Sequence, residues 1–202
     1  MEKMGKFAVD VVLLPPEWVM DKAIEINRGM VEKYNGVLKL GKADFLPHLT
    51  LAMGVMDETD LENVAAKLAE IAKRFKPLEL QVTGIRNDDV HNCALFEIAK
   101  SAQLQSLHVE LMKNLALFFS YEVSNDYIYG GDATQSSLNY CADFVKRYAF
   151  ENYYPHITLG KGKTEDVAPF AFTATKLAVC HMGRNNTCRK GLYAVELKQM
   201  QL

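Results

Sequence analysis

The sequence predicts sheets packed under helices, a mixed α/β or α+β fold built as two like halves. Three observations carry this prediction. Strand-like and helix-like segments interleave along all 202 residues, one short motif occurs twice in the same surroundings, and no stretch rich in Pro, Gly or Ser parts the halves. One body spanning 1–202 is therefore expected, with halves of roughly 1–90 and 91–202. Hydrophobic residues make up 49% of the chain and charged residues 24%, enough to build a core and without the signature of disorder.

Taken in order, residues 7–14 (FAVDVVLL) read as a strand closed by Pro15-Pro16. Residues 17–34 carry an apolar stripe through Trp18, Ile24, Met30, Val31 and Tyr34, and Asn35-Gly36 ends that helix. Residues 47–56 read as a strand. Residues 60–75 are a helix with Asp60 as its expected N-cap and a face of Leu61, Val64, Leu68, Ile71 and Phe75, stopped by Pro77. Residues 78–86 and 93–99 alternate like the strands of a hairpin, with Asn87-Asp88-Asp89 turning between them. Residues 101–119 form a second long helix, capped by Ser101, with Leu104, Leu107, Leu111, Leu115 and Phe118 on its buried side. Residues 121–135 are irregular, 136–149 predict a short helix, and 153–160 a strand. Residues 172–181 and 188–198 predict a terminal hairpin.

Charge and cysteine content narrow the function. The formal net charge is −2, without the basic surplus of a protein that grips long nucleic acid. A nucleic-acid substrate would then be a nucleotide, a short oligomer or a chain end. The cysteines, Cys93, Cys141, Cys180 and Cys188, form no C-x-x-C pair, so neither a zinc site nor a redox motif is indicated. Glu2, Lys3 and Lys6 precede a strand-like run broken by Asp10, unlike a secretory leader, and no apolar run is long enough for a membrane helix. A soluble cytoplasmic protein with reduced thiols is expected.

The internal repeat points to the chemistry. Residues 47–54 read PHLTLAMG and residues 155–162 read PHITLGKG, each one strand and one long helix downstream of an apolar strand. Good strand propensity explains Leu and Ile but not two matched His/Thr pairs in a chain with five histidines. In a strand, residues i and i+2 share a face and lie roughly 6.5–7 Å apart, so His48 pairs with Thr50 and His156 with Thr158. If the halves face each other, two imidazoles and two hydroxyls converge on one cleft. Phosphodiester cleavage needs a proton taken from the nucleophile and one given to the leaving oxygen. Histidine, with a reference pKa of about 6.5, does either near neutral pH. The threonine hydroxyls can donate to the non-bridging oxygens. A metal site is the rival reading of the histidines, but no H-E-x-x-H or Cys/His cluster supplies the three or four ligands zinc takes.

The paired motifs His48-Leu49-Thr50 and His156-Ile157-Thr158, each followed by leucine (Leu51, Leu159), resemble those of the two-histidine (2H) phosphoesterase superfamily. Its members include the RNA 2',3'-cyclic phosphodiesterases, also called 2'-5' RNA ligases. The resemblance implies an α+β, bilobal duplicated fold, with two antiparallel sheets lining a central cleft and helices packed outside. It implies hydrolysis of cyclic phosphates, or cleavage and joining of 2'-5' linkages, with neither metal nor cofactor. His48, Thr50, His156 and Thr158 would be the catalytic set. The partner would be a nucleotide or a short RNA with a cyclic phosphate end, bound by a monomer that needs no membrane. The segment 121–150 is longer than the family needs and is expected to be a lid or a substrate-selecting insert. Two further readings stand beside this one: an AMP-like nucleotide or RNA-end binding module without turnover, and RNA ligation or tRNA processing.

Other polar residues carry weaker expectations. Tyr154, beside Tyr153, is expected to line the cleft and stack on a base, and Lys161 to bind phosphate. Lys163 and Arg189 are further phosphate candidates. His108 reads as a core-edge histidine, His91 as exposed in a turn, and His181 as a strand-end residue without an evident partner.

Overall fold

The computed structural model describes residues 5–198, so Glu2 and Lys3 of the leader argument lie outside the described residues. β1 (Lys6–Leu14) is buried on both faces from Ala8 to Leu13. Pro16 then holds the extended conformation that opens α1 (Glu17–Tyr34), and Asn35 ends it in the left-handed region at φ 49°. β2 (Leu49–Asp57) follows. Asp60 does not cap the next helix with its side chain. It closes a 3-10 turn at φ −84°, ψ −3°, already helical rather than the extended geometry a capping side chain needs, and α2 runs Leu61–Ala72. β3 (Leu78–Asp88) and β4 (Cys93–Ile98) form the expected hairpin, with β3 continuing through Asp88. Ser101 Oγ accepts from the Leu104 amide at 3.1 Å and starts α3 (Ala102–Leu115). The region 136–149 holds α4 (Gln135–Ala142) and a five-residue π turn, Phe144–Tyr148. β5 is His156–Lys161.

The expected strand 172–181 is two strands. β6 (Phe170–Ala174) and β7 (Lys176–Gly183) are separated at Thr175, where the chain leaves one sheet for the other, and β7 pairs with β8 (Thr187–Glu196) as the terminal hairpin. Within the two four-stranded sheets, ordered β2-β1-β7-β8 and β5-β4-β3-β6, neighbouring strands pair antiparallel. The sheets therefore do not divide at residue 90. β3 joins the second-half strands, and β7 and β8 join β1 and β2.

The duplication extends to strand register. In the first sheet Asp10, Val11, Val12 and Leu13 face Met53, Ala52, Thr50 and Leu49. In the second, Cys93, Ala94, Leu95 and Phe96 face Lys161, Gly160, Thr158 and Ile157. Both ladders slip at the same place, between Val11 and Val12 and between Ala94 and Leu95. The long helices are exchanged: α1, which joins β1 to β2, packs on β5, while α3 packs on β2.

Each exchanged helix grips the other half's motif strand by its leucine carbonyl. Asn27 Nδ2 on α1 donates to Leu159 O at 2.8 Å, and His108 Nδ1 on α3 donates to Leu51 O at 2.6 Å. The glycines that close the repeats lie under aromatic rings. A Cβ on Gly54 would come within 2.8 Å of Phe119, and one on Gly162 would collide with Tyr34. A side chain at either position would have to displace the ring above it.

The expectation of reduced thiols is corrected in part. The β7–β8 ladder brings Cys180 and Cys188 to a Cα separation of 5.4 Å, within disulfide range, and they are bonded; Cys93 and Cys141 are free. Among the described residues no helix is long and apolar enough to cross a membrane.

Candidate active site

The two motifs hold their histidines in the same way. His48 Nδ1 donates to the carbonyl two residues back, Leu46, at 2.6 Å, and His156 Nδ1 donates to Tyr154 O at 2.9 Å. Since a carbonyl only accepts, Nδ1 carries the proton in each neutral ring and Nε2 is left for chemistry. Both histidines, with Thr50 and Thr158, line one cavity of about 900 Å³.

Beyond that shared tether the sites differ. Asp10 on β1 is fully buried, and its Oδ2 accepts from Thr50 Oγ1 at 2.8 Å and lies 3.3 Å from His48 Nε2. Its other oxygen is buried without a partner among the described residues. Burial pushes the Asp10 carboxyl up, and His48 and Thr50 oppose that push without cancelling it. At His48 burial disfavours the imidazolium, but Asp10 and the Leu46 carbonyl outweigh it, so the ring holds its proton to higher pH than a free histidine. His156 has no carboxylate within ion-pair distance among the described residues. Burial lowers its pKa, only partly offset by the Tyr154 carbonyl and, more weakly, by the Asp88 carboxylate, with His48 and Arg86 pushing the same way as burial.

The motif alone points Thr50 at a phosphate as a donor, but its hydroxyl proton is directed at Asp10. Thr158 Oγ1 has no such partner among the described residues. Tyr154 lines the cavity 37% exposed, its ring 5.7 Å from that of His156 and 5.2 Å from the Arg86 guanidinium, with its hydroxyl on Glu97. Tyr153 is structural: its ring stacks on His108 at 4.0 Å and its hydroxyl donates to Thr50 O at 3.0 Å. Lys161 lines the cavity and donates to the His91 carbonyl. Lys163 pairs with Asp89, and Arg189 forms two bonds to Asp44 and lies 3.9 Å over Phe45, bracing the segment before His48. Neither lines the cavity.

His91 is exposed as expected, pairs with Asp88 and lies at the cavity's edge. His108 is fully buried rather than at the core's edge, its Nε2 accepting from the Phe150 amide at 2.7 Å. His181 does have a partner, the Tyr127 carbonyl at 2.9 Å, and packs on Phe7. The segment 121–150 contributes Thr134, Ser137, Asn139, Tyr140, Arg147 and Tyr148 to the cavity wall. Sequence reasoning missed Asp10 and Arg86. Asp10 had a signal: a carboxylate among apolar neighbours on both faces of a strand is buried and must find a partner. Among the described residues no three His, Cys, Asp or Glu side chains are grouped to hold a metal ion.

The sequence and the fold have counterparts among known proteins. The sequence model of the 2'-5' RNA ligase superfamily matches residues 43–184, which include both motifs. No curated protein sequence matches. The fold is similar to TT0787 of Thermus thermophilus, at 15% identity over 95% of this chain and 98% of that one, with a TM-score of 0.59. It is similar to E. coli LigT complexed with phosphate, at 15% identity over 96% and 99% and a TM-score of 0.56. The same protein complexed with NADP+ gives 14% identity over 96% and 99% and a TM-score of 0.54.

Proposed function

Because the chain belongs to the 2'-5' RNA ligase superfamily of 2H phosphoesterases, we propose that it is a metal-independent phosphodiesterase acting on a 2',3'-cyclic phosphate at a nucleotide or a short RNA end. The observation that carries this reading is the matched pair of imidazoles, each tethered through Nδ1 and each on the wall of one cavity. That the similar LigT forms complexes with phosphate and NADP+ supports a phosphate-bearing ligand for this chain.

In the proposed reaction water attacks phosphorus and gives its proton to one Nε2. The bond from phosphorus to the leaving ribose oxygen breaks, and that oxygen takes a proton from the other imidazolium. The product is a monoester, and solvent restores both protonation states. Each proton transfer contributes about 10²–10⁴-fold. Thr158 donates to a non-bridging oxygen, where charge builds in the transition state. Tyr154 supplies a face for a base, Lys161 a cation near the phosphate, and the 121–150 segment selects the substrate.

The test is hydrolysis of 2',3'-cyclic nucleotides and cyclic-ended oligomers in EDTA, with product analysis. Turnover that survives EDTA and is lost in both His48→Ala and His156→Ala is expected. Loss in EDTA alone, or full activity in the double variant, refutes the mechanism. Tight AMP binding without turnover would identify a binding module instead, and joining of RNA ends a ligase.

A further inference from the structure

We propose that Asp10 is a positioning residue that makes the cleft directional, holding His48 as the proton donor to the leaving oxygen and leaving His156 as the base. This rests on the phosphodiesterase reading above. The two halves agree in register, and the polar differences beside the histidines fall at two equivalent pairs. Glu97 faces His156 in the ladder where the first half has Leu14, but its carboxylate accepts from the Tyr154 hydroxyl and forms no ion pair with His156 among the described residues. The other pair is Asp10 and Cys93. Asp10 faces Met53 on the neighbouring strand, and its counterpart Cys93 faces Lys161. A carboxylate therefore stands behind His48 where a thiol stands in the His156 half.

The surroundings leave the Asp10 charge little else to act on. Its side chain is fully buried, Oδ2 is shared by Thr50 and His48, and Oδ1 meets no donor among the described residues. The other titratable groups near the carboxylate are Tyr140 and Cys141 on α4 and Tyr153 before β5. All stay protonated at neutral pH, the Cys141 thiol pushed up to about 12 chiefly by burial. His48 is its one cationic partner among the described residues. The separation of 3.3 Å exceeds the roughly 2.7–2.9 Å of a tight charge-assisted bond. The Nε2 proton is thus not bound tightly by the carboxylate, and it can be shared with a leaving oxygen that enters beside Asp10 while Nδ1 stays on Leu46. Thr50 fixes the carboxylate rather than the phosphate, which explains why its hydroxyl points at Asp10. A substrate bound in this frame has its leaving ribose oxygen beside His48 and its nucleophile beside His156.

The test is Asp10→Asn, which keeps the size and an acceptor for Thr50 while removing the charge. Imidazole titration by NMR on the whole chain, assigned with His48→Gln and His156→Gln, reads both rings without substrate. Wild-type His48 is expected to titrate above His156. In Asp10→Asn the His48 midpoint is expected to fall by about 1–3 pH units and that of His156 to stay in place. In the same variant the alkaline limb of kcat/KM should move acidward by the same amount. kcat above that limb should fall about tenfold per unit, with KM within about threefold. An unmoved His48 midpoint, or equal shifts in both rings, overturns the proposal. If Asp10→Asn does not fold, the wild-type titration decides alone, and His48 titrating below His156 overturns it. Turnover with an unmoved His48 refutes the coupling and leaves the reaction. The NMR response without turnover of any cyclic phosphate refutes the reaction and leaves the coupling.

Discussion

Asn27→Ala tests the exchanged-helix architecture. Asn27 is 2% exposed and spends its whole amide on three partners: Nδ2 on Leu38 O at 3.0 Å and Leu159 O at 2.8 Å, and Oδ1 on the Leu40 amide at 2.8 Å. Three buried hydrogen bonds at about 1 kcal/mol each make a loss of about 3 kcal/mol. For a chain of this size, where each kcal/mol is worth about 2–4 °C, melting should fall by about 6–12 °C. Asn27→Asp keeps the acceptor for Leu40 but sets a buried carboxylate against two carbonyls. It should lose more than Asn27→Ala near neutral pH. Burial would raise that carboxyl's pKa in the folded chain, so the sign is set: the deficit is full above the folded pKa and shrinks as pH falls through it. Thermal melts by circular dichroism between about pH 4 and 8 measure both. A drop under about 2 °C for Asn27→Ala, or an Asp variant no worse than Ala at about pH 7, refutes the claim that this amide clamps β5 to α1.

The pH–rate profile should be a bell. Its acid limb, from a base held low at His156, is expected below 6.5, and its alkaline limb, from an acid held high at His48, above 6.5; an alkaline limb below that value contradicts the site electrostatics. The same shifts bear on stability with opposite signs. The His48 contribution is present below the unfolded pKa and lost as pH rises through the folded one, whereas that of His156 is lost on acidification; urea melts across the range read the net effect. Tyr153→Phe removes the bond to Thr50 O and should cost about 1 kcal/mol, read as a melting drop of about 2–4 °C. Replacing Cys180 and Cys188 with serine opens a loop of eight residues' separation and should cost about 2–3 kcal/mol in urea, and thiol titration of the unreduced, unfolded protein should find Cys93 and Cys141 alone.

Much of this is legible in the chain. The repeated P-H-x-T-L-x-x-G makes the two histidines and their threonines visible, and helical periodicity sets α1 to the residue, because Pro16 and Asn35 punctuate it. What pattern does not show is partnership across the fold. Asp10 looks like a polar break in an apolar strand, though it stands behind a histidine 38 positions later. Asn27 breaks the apolar stripe of its helix because its partners lie on β5 and the loop after α1. Thr175 carries no turn signal, so the crossing from β6 to β7 reads as continuous strand. Local propensity records what a segment prefers, and these features depend on which sheet the chain joins next.

The interleaved strand order bears on how the chain is made. A ribosome delivers β1 and β2 early, but β1 waits for β7, whose residues follow more than 160 positions later, before its second edge is covered. β3 has no partner at all until β4 emerges, and no second neighbour until β6 does. Neither sheet can be finished while β6, β7 and β8 are still in the exit tunnel. Long-range pairing of this kind is slow and leaves unpaired strand edges open to other chains. Nascent chains halted near residue 165 should therefore bind holdase chaperones and resist compaction, and release of β6 and then of the β7–β8 hairpin should complete the two sheets in turn.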